Sequence, residues 1–326
     1  MSGAHREAAL LSLADRLSRL RREAGVAPTV PGPAFAAAVP IAERVARLRP
    51  RDPTAGRPDD AALADCLEGR VLDRGVIEVM RRFPLAHRQG AQPLDALARA
   101  SIDLPSAPVA SGWAFVDTET SGLAGGAGTV AFLIGAARVA QGALDVRQWL
   151  LTGFGGEAAQ LEAAVAFADG AGLVSYNGKS FDLPLLAARQ RLHGARDLFA
   201  GRAHLDLLHP TRRAFAARWD DCRLATAERR LLGFSRIDDL PGARVPAAWF
   251  GWLSRGDWRP LAEVLRHNLW DLVSLAALLP ALEACYATPQ AFGADVDAVA
   301  RAWRKAGRAE RALAVLEAAG IAPRLG

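Results

Sequence analysis

Four acids in this 326-residue chain stand where carboxylates can act together. Asp117 and Glu119 are two residues apart at the end of the apolar run Trp113 to Glu119. Alternate residues of a strand leave the same face, so both side chains share it with Cα atoms about 7 Å apart. Asp182 follows the apolar run Gly172–Tyr176 by way of Asn177-Gly178 and opens a helix. Asp271 comes four residues after His267, which puts both on one helix face with Cβ atoms about 5–6 Å apart. Like charges in one pocket repel unless cations neutralise them or their pKa values rise. Oxygen ligands suit Mg²⁺ or Mn²⁺ better than zinc. A histidine, with an unperturbed pKa near ~6.5, is suited to take a proton from an activated water. Two oxygen-held ions and a base are the apparatus of in-line attack on a phosphodiester. Each piece alone has a structural explanation: an acidic strand end, a helix-start acid favoured by the dipole, a surface His–Asp pair. The chemistry rests on the joint pattern.

A sheet is needed to hold these residues. Trp113–Glu119, Thr129–Val139 and Leu144–Leu151 read as three strands of an antiparallel meander, the last two joined at Gln141-Gly142. Glu157–Ala168 is helical, Gly172–Tyr176 is a further strand, and a helix runs from about Ser180 to Leu192. His204–Leu208 is a fifth strand, followed by helices that include Pro260–Leu279. This order predicts an α/β fold, a mixed sheet of three antiparallel strands then parallel strands, flanked by helices. Upstream, Leu10, Leu13, Leu17 and Leu20 mark an amphipathic helix over 8–24, followed by a Pro-rich linker. Residues 61–110 alternate short helical and extended patterns that do not resolve further. Two short amphipathic helices around Lys305-Ala306-Gly307, between Asp295 and Gly320, form a small helical C-terminal tail that must pack on the body or on a protein partner. The expected division is 1–59, helix and linker; 60–285, the α/β domain; and 286–326, the tail.

Composition is ordinary for a globular chain, with 51% apolar and 23% charged residues, which excludes a disordered or collagen-like protein. Three scattered cysteines without C-x-x-C argue against a disulfide framework or a cysteine zinc site. Charged residues interrupt the apolar runs before membrane-span length, and the N-terminus carries Arg6 and Asp15, so a cytoplasmic protein without a membrane partner is expected. The net charge of +5 permits a polyanionic partner, but an arginine-rich composition explains it as well. Scarcity is more telling. The chain has two Asn, two Lys and two Tyr, and three of these six fall in Tyr176–Lys179; Asn268 adjoins His267. The residues bordering the acids, Thr120, Gly122, Leu123, Asn177, Lys179 and Asn268, are read as substrate contacts. A Gly-rich loop from Gly122 to Gly128 can approach phosphates or serve as a plain connection. Asp206 is read as supporting, Arg212 and Arg213 as a solvated helix face, and Trp249 and Trp252 as core.

D-T-E-T (117–120), Y-N-G-K-S-F-D (176–182) and H-N-L-W-D (267–271) resemble the three exonuclease motifs of the DEDD nucleases, which have the ribonuclease H-like fold. H-L-D-L-L-H-P-T-R-R (204–213), C-R-L-A-T-A-E-R-R-L-L-G (222–233) and D-D-L-P-G (238–242) resemble the bacterial YprB-type ribonuclease H-like family, and the tail is similar to a tetratricopeptide-like unit. The resemblance spans roughly residues 60–285. It implies that Asp117, Glu119, Asp182 and Asp271 are ligands of two Mg²⁺ or Mn²⁺ ions and that His267 holds the general-base position. One ion on Asp117, Asp182 and Asp271 would activate water, and the second, on Asp117 and Glu119, would stabilise the leaving oxygen. His267 stands four residues before the last Asp, the spacing at which a sister branch carries Tyr; the His branch uses five. The expected activity is exonucleolytic hydrolysis of single-stranded DNA or RNA, 3′→5′. The alternatives are a structure-selective endonuclease on the same fold and a non-catalytic binding module that docks through the tail.

Overall fold

Buried, mostly apolar stretches on either side of residue 113, such as 76–79, 114–116 and 131–134, build one seven-stranded sheet. A computed structural model describes residues 57–98, 102–105, 107–122, 128–195 and 199–321. The helix expected over 8–24, the Pro-rich stretch up to residue 56 and Leu123 lie outside the described residues. The strands are β1 (Gly69–Asp73), β2 (Val76–Pro84), β3 (Trp113–Thr120), β4 (Ala131–Ala140), β5 (Ala143–Leu151), β6 (Gly172–Ser175) and β7 (His204–Asp206). The helices that cover them are α1 (Asp60–Cys66), α2 (Glu157–Phe167), α3 (Asp182–Leu192), α4 (Leu208–Phe215), α5 (Val245–Arg255) and α6 (Arg259–Ala287), followed by α7 (Val296–Lys305) and α8 (Ala309–Ala318).

The sheet order is β1-β2-β5-β4-β3-β6-β7. The meander predicted for β3, β4 and β5 is antiparallel, and β6 and β7 add parallel strands, with Phe115 opposite Val174 and Ser175 opposite Asp206. Gln141 and Gly142 both adopt positive φ (48° and 72°), which matches the right-handed twist of the β4–β5 hairpin. Strands β1 and β2 extend the sheet beyond β5, where the sequence pattern left 61–110 unresolved; β1 is mostly exposed and shows no apolar alternation.

Successive residues of β3 enter opposite cores. Val116 joins Phe132, Trp149, Leu186, Trp249 and Trp252, whereas Phe115 joins Val146, Val174 and the middle of α6. Trp249 and Trp252 are fully buried, and their indole N–H groups donate to Leu151 O and Thr152 O. Helix α6 does not stop at Leu279. It runs through Pro280 to Ala287, because Leu282, Cys285 and Tyr286 are all fully buried and tertiary packing outweighs the lost backbone bond. By length and composition α6 is long enough to cross a bilayer, yet 78% of its most apolar window is buried in the domain, as in a core helix. The tail uses its apolar face on this same body. Val299, Trp303, Ala312 and Val315 share the α6 core, and Trp303 Nε1 donates to Tyr286 O.

Candidate active site

Asp117 and Glu119 lie at the end of β3, the half-buried stretch where this strand outruns its parallel neighbour β6. Asp117 is held from α6: Asn268 Nδ2 donates to Asp117 Oδ2 at 2.8 Å, and Asn268 Oδ1 accepts from Gln148 Nε2 at 2.8 Å. That approach needs a glycine opposite Asp117. A Cβ on Gly135 would lie 2.1 Å from Asn268 Oδ1. Asp182 opens α3, and Thr118 Oγ1 donates to its Oδ1. Gly178 leaves room there too, since a Cβ on it would meet Ser175 Oγ at 2.4 Å and Asp182 Oδ2 at 3.2 Å.

His267 and Asp271 share one face of α6, as their spacing predicts, with Nε2 3.5 Å from Asp271 Oδ2. The same Nε2 lies 3.8 Å from Glu119 Oε1, so a helix and a strand meet here. Glu119, His267 and Asp271 each offer a ligand atom within 4.8 Å of the others. Three further residues, which the sequence reading did not single out, complete the pocket. Asp239 Oδ1 lies 2.7 Å from His267 Nδ1. Arg236, 8% exposed at its side chain, donates to Asp271 Oδ1 and makes a bidentate pair with Glu228 at 2.6 and 2.9 Å. Its Nη1 lies 3.3 Å from Asp239 Oδ2. Glu228 is itself buried in a π-helical turn, Glu228–Leu232.

Burial pushes the Asp117 carboxyl well above its usual range, and repulsion from Asp271, Asp182 and Glu119 adds to it against one hydrogen bond from Asn268. Burial also raises Glu119, reinforced by Asp271 and Asp182 and opposed by Arg236. Asp182 is pushed up to about 6, chiefly by burial, despite the Thr118 hydroxyl. Burial works against the charge of Arg236, but Asp271 and Glu228 outweigh it and hold the guanidinium protonated. The carboxylates of Asp117, Glu119, Asp182 and Asp271 thus lie close enough to repel one another, and Arg236, bound to Asp271, opposes that repulsion at Glu119. Such a donor set fits a divalent cation.

The expected substrate contacts separate. Asn268 is fully buried and its amide is committed to Asp117 and Gln148, so it positions a carboxylate and cannot touch a substrate. Thr120 turns its hydroxyl to Gly122 O (2.9 Å). Lys179 is exposed, and its backbone N–H donates to Asp206 Oδ2 at 3.1 Å. Asp206 also accepts from Asn177 and Leu208, which makes it the anchor of the β6–α3 turn, where Asn177 takes φ 70°. His204 bonds Ser175, and burial lowers its pKa to about 4; His209 is exposed. Beside Asn177 opens a cleft of about 560 Å³ lined by Tyr176, Arg212, Trp219 and Arg223 among others.

The fold and this pocket define a ribonuclease H-like protein. Residues 114–283, just over half of the chain, match the family model of the RNase H superfamily, and the chain belongs to that superfamily. Over 207 residues, 60% of its length, it is 36% identical to an uncharacterized protein, YprB, of Bacillus subtilis (strain 168), and it spans half the length of that relative. It is also similar over 60% of its length to the family B DNA polymerase of the hyperthermophilic archaeon Pyrobaculum calidifontis, with 18% identity, a TM-score of 0.41 and coverage of 29% of that chain.

Proposed function

We propose that the chain is a divalent-metal-dependent nuclease that removes nucleotides from the 3′ end of single-stranded DNA or RNA. The observation that carries this reading is the shortfall of positive charge around Asp117, Glu119, Asp182 and Asp271, a shortfall that structural acids avoid by pairing. These four residues would hold two ions, Mg²⁺ or Mn²⁺. When bound, such ions supply Lewis-acid chemistry for in-line attack on a phosphodiester. The protein's own groups do the rest. Asn268 and Gln148 fix the Asp117 carboxylate, and Thr118 fixes that of Asp182. Lys179 offers a solvated cation three residues before Asp182. Arg212 and Arg223 line the neighbouring cleft and can meet phosphates, while Trp219 offers an aromatic surface to a base.

End-labelled single-stranded oligonucleotides of DNA and RNA, incubated with Mn²⁺ or Mg²⁺, test the proposal. Mononucleotides are released from the 3′ end, and Asp117→Ala abolishes the release. Activity unchanged in that variant would remove the assignment, and cuts within a circular single strand would identify an endonuclease instead.

A further inference from the structure

The resemblance gives His267 the place of a general base, but its surroundings are those of a ligand. Asp239 Oδ1 sits 2.7 Å from Nδ1 and holds the ring from that side, where Arg236 Nη1 also lies at 3.4 Å. Nε2, on the opposite side of the ring, faces Asp271 Oδ2 at 3.5 Å and Glu119 Oε1 at 3.8 Å. Asp271 is restricted in the same way, because its Oδ1 accepts from Arg236 and Oδ2 is left on the histidine side. Nε2 and these two carboxylates each offer a ligand atom within 4.8 Å of the others, a spacing that one dication can bridge. A histidine that binds a metal through one nitrogen generally donates through the other to a carboxylate, which is the arrangement of Asp239 and His267.

Resting on the proposed metal-dependent reading, we infer that His267 Nε2 is itself a metal ligand together with Glu119 and Asp271, that Asp239 is its positioning residue, and that this position selects a first-row transition dication over Mg²⁺. Mg²⁺ takes oxygen ligands in a strict octahedron, whereas imidazole suits transition metals. The remaining acids, Asp117 and Asp182, would serve the oxygen-ligated position of the pair.

Mn²⁺ is the probe, titrated into the full chain. Pulsed electron paramagnetic resonance of the Mn²⁺-loaded protein shows coupling to a ¹⁴N nucleus, replaced by ¹⁵N coupling when histidine is ¹⁵N-labelled. His267→Ala loses that coupling and binds Mn²⁺ roughly tenfold or more weakly, while its Mg²⁺ affinity changes little. Asp239→Ala weakens Mn²⁺ binding about 10- to 100-fold, and Asp239→Asn, which keeps an acceptor oxygen, recovers most of it. Bound Mn²⁺ without nitrogen coupling in the wild-type protein overturns ligation by His267 and leaves the nuclease reading standing. Failure of the wild-type protein to bind Mn²⁺ at all overturns both. The wild-type spectrum decides the matter even where a variant fails to fold.

Discussion

Two groups of buried acids, both adjoining the sheet, are treated in opposite ways. At the start of α2, Glu157 is 3% exposed and receives Arg189 Nε at 2.5 Å, a second bond from the same guanidinium, and His193 Nε2 at 2.8 Å. Burial acts to raise its pKa, but the Arg189 and His193 hydrogen bonds outweigh it and hold the carboxyl below its usual range. Glu78 on β2 is supplied likewise, by Arg70 (2.6 Å), Arg147 (3.1 Å) and the Trp149 indole (3.1 Å). At the end of β3 the supply stops. Asp117 receives the Asn268 amide and Asp182 the Thr118 hydroxyl and backbone N–H groups, none of them a cation, and both carboxyls are pushed up. Burial of an acid is therefore common to both groups; Glu157 and Glu78 pair with arginines, whereas Asp117 and Asp182 have no arginine or lysine partner among the described residues.

The contrast can be broken most directly through activity. Asp117→Asn keeps the shape of the site and its bond to Asn268 but removes one carboxylate, and Mn²⁺-dependent nucleotide release should fall by roughly a thousandfold or more. Glu157→Gln should leave the rate per folded molecule near the wild-type value. A steady-state assay on both variants checks this, and equal loss in the two would erase the distinction. The next effect is on stability and has the opposite owner. Glu157→Ala removes the hydrogen bonds that Arg189, whose side chain is 13% exposed, and His193 make to the carboxylate, and should cost about 3 kcal/mol. At roughly 2–4 °C per kcal/mol, Tm should drop by about 6 °C or more in a thermal melt.

Much of the site was legible because local geometry alone positions its parts. The i, i+2 pair on β3 and the i, i+4 pair on α6 needed nothing beyond strand and helix periodicity, and the order of elements was enough to predict the mixed sheet. The scarcity of Asn correctly marked Asn268, yet its burial makes it a support for Asp117 and not a contact for substrate. Arg236 was invisible for the reverse reason. It is one of 38 arginines and sits in an irregular stretch after a π-helical turn, 35 residues from the carboxylate it binds. Asp239 lies in that same stretch, where no periodicity predicts which side chain turns inward, and Glu228 opens the π-helical turn before it. Gly135 shows the same limit, since its need for glycine arises from an Asn 133 positions away.

A smaller effect sharpens the comparison by its sign. In the metal-free protein, Asp117→Asn relieves a buried carboxylate of repulsion from Asp271, Asp182 and Glu119, so it should stabilise by about 1 kcal/mol and raise Tm by roughly 2–4 °C. Mn²⁺ should reverse the ranking, because it stabilises the wild-type protein by mass action and the variant less. Melts of both proteins with chelator and with Mn²⁺ give the four numbers needed. A variant less stable than wild type in chelator would mean that Asp117 is already compensated.

The two groups of acids should also titrate in opposite directions. Asp182 rises from an ordinary 3.8 to about 6 in the folded protein. Below pH 4 both states are protonated there and no penalty exists. As pH climbs toward 6 the unfolded chain releases the proton while the folded chain retains it, so the metal-free protein loses stability across that window, on the order of 1–3 kcal/mol. Glu157, held below its usual range, contributes stability above its unfolded pKa that disappears as pH falls through its folded one. Denaturant melts of the wild-type and Glu157→Gln proteins between about pH 2 and 7 separate the two slopes. In the variant the acid-side loss shrinks while the decline toward pH 6 remains, and Mn²⁺ flattens that decline, because a bound dication favours the ionised carboxylates. A decline that Mn²⁺ leaves untouched would show that the raised acids are not those that meet the metal.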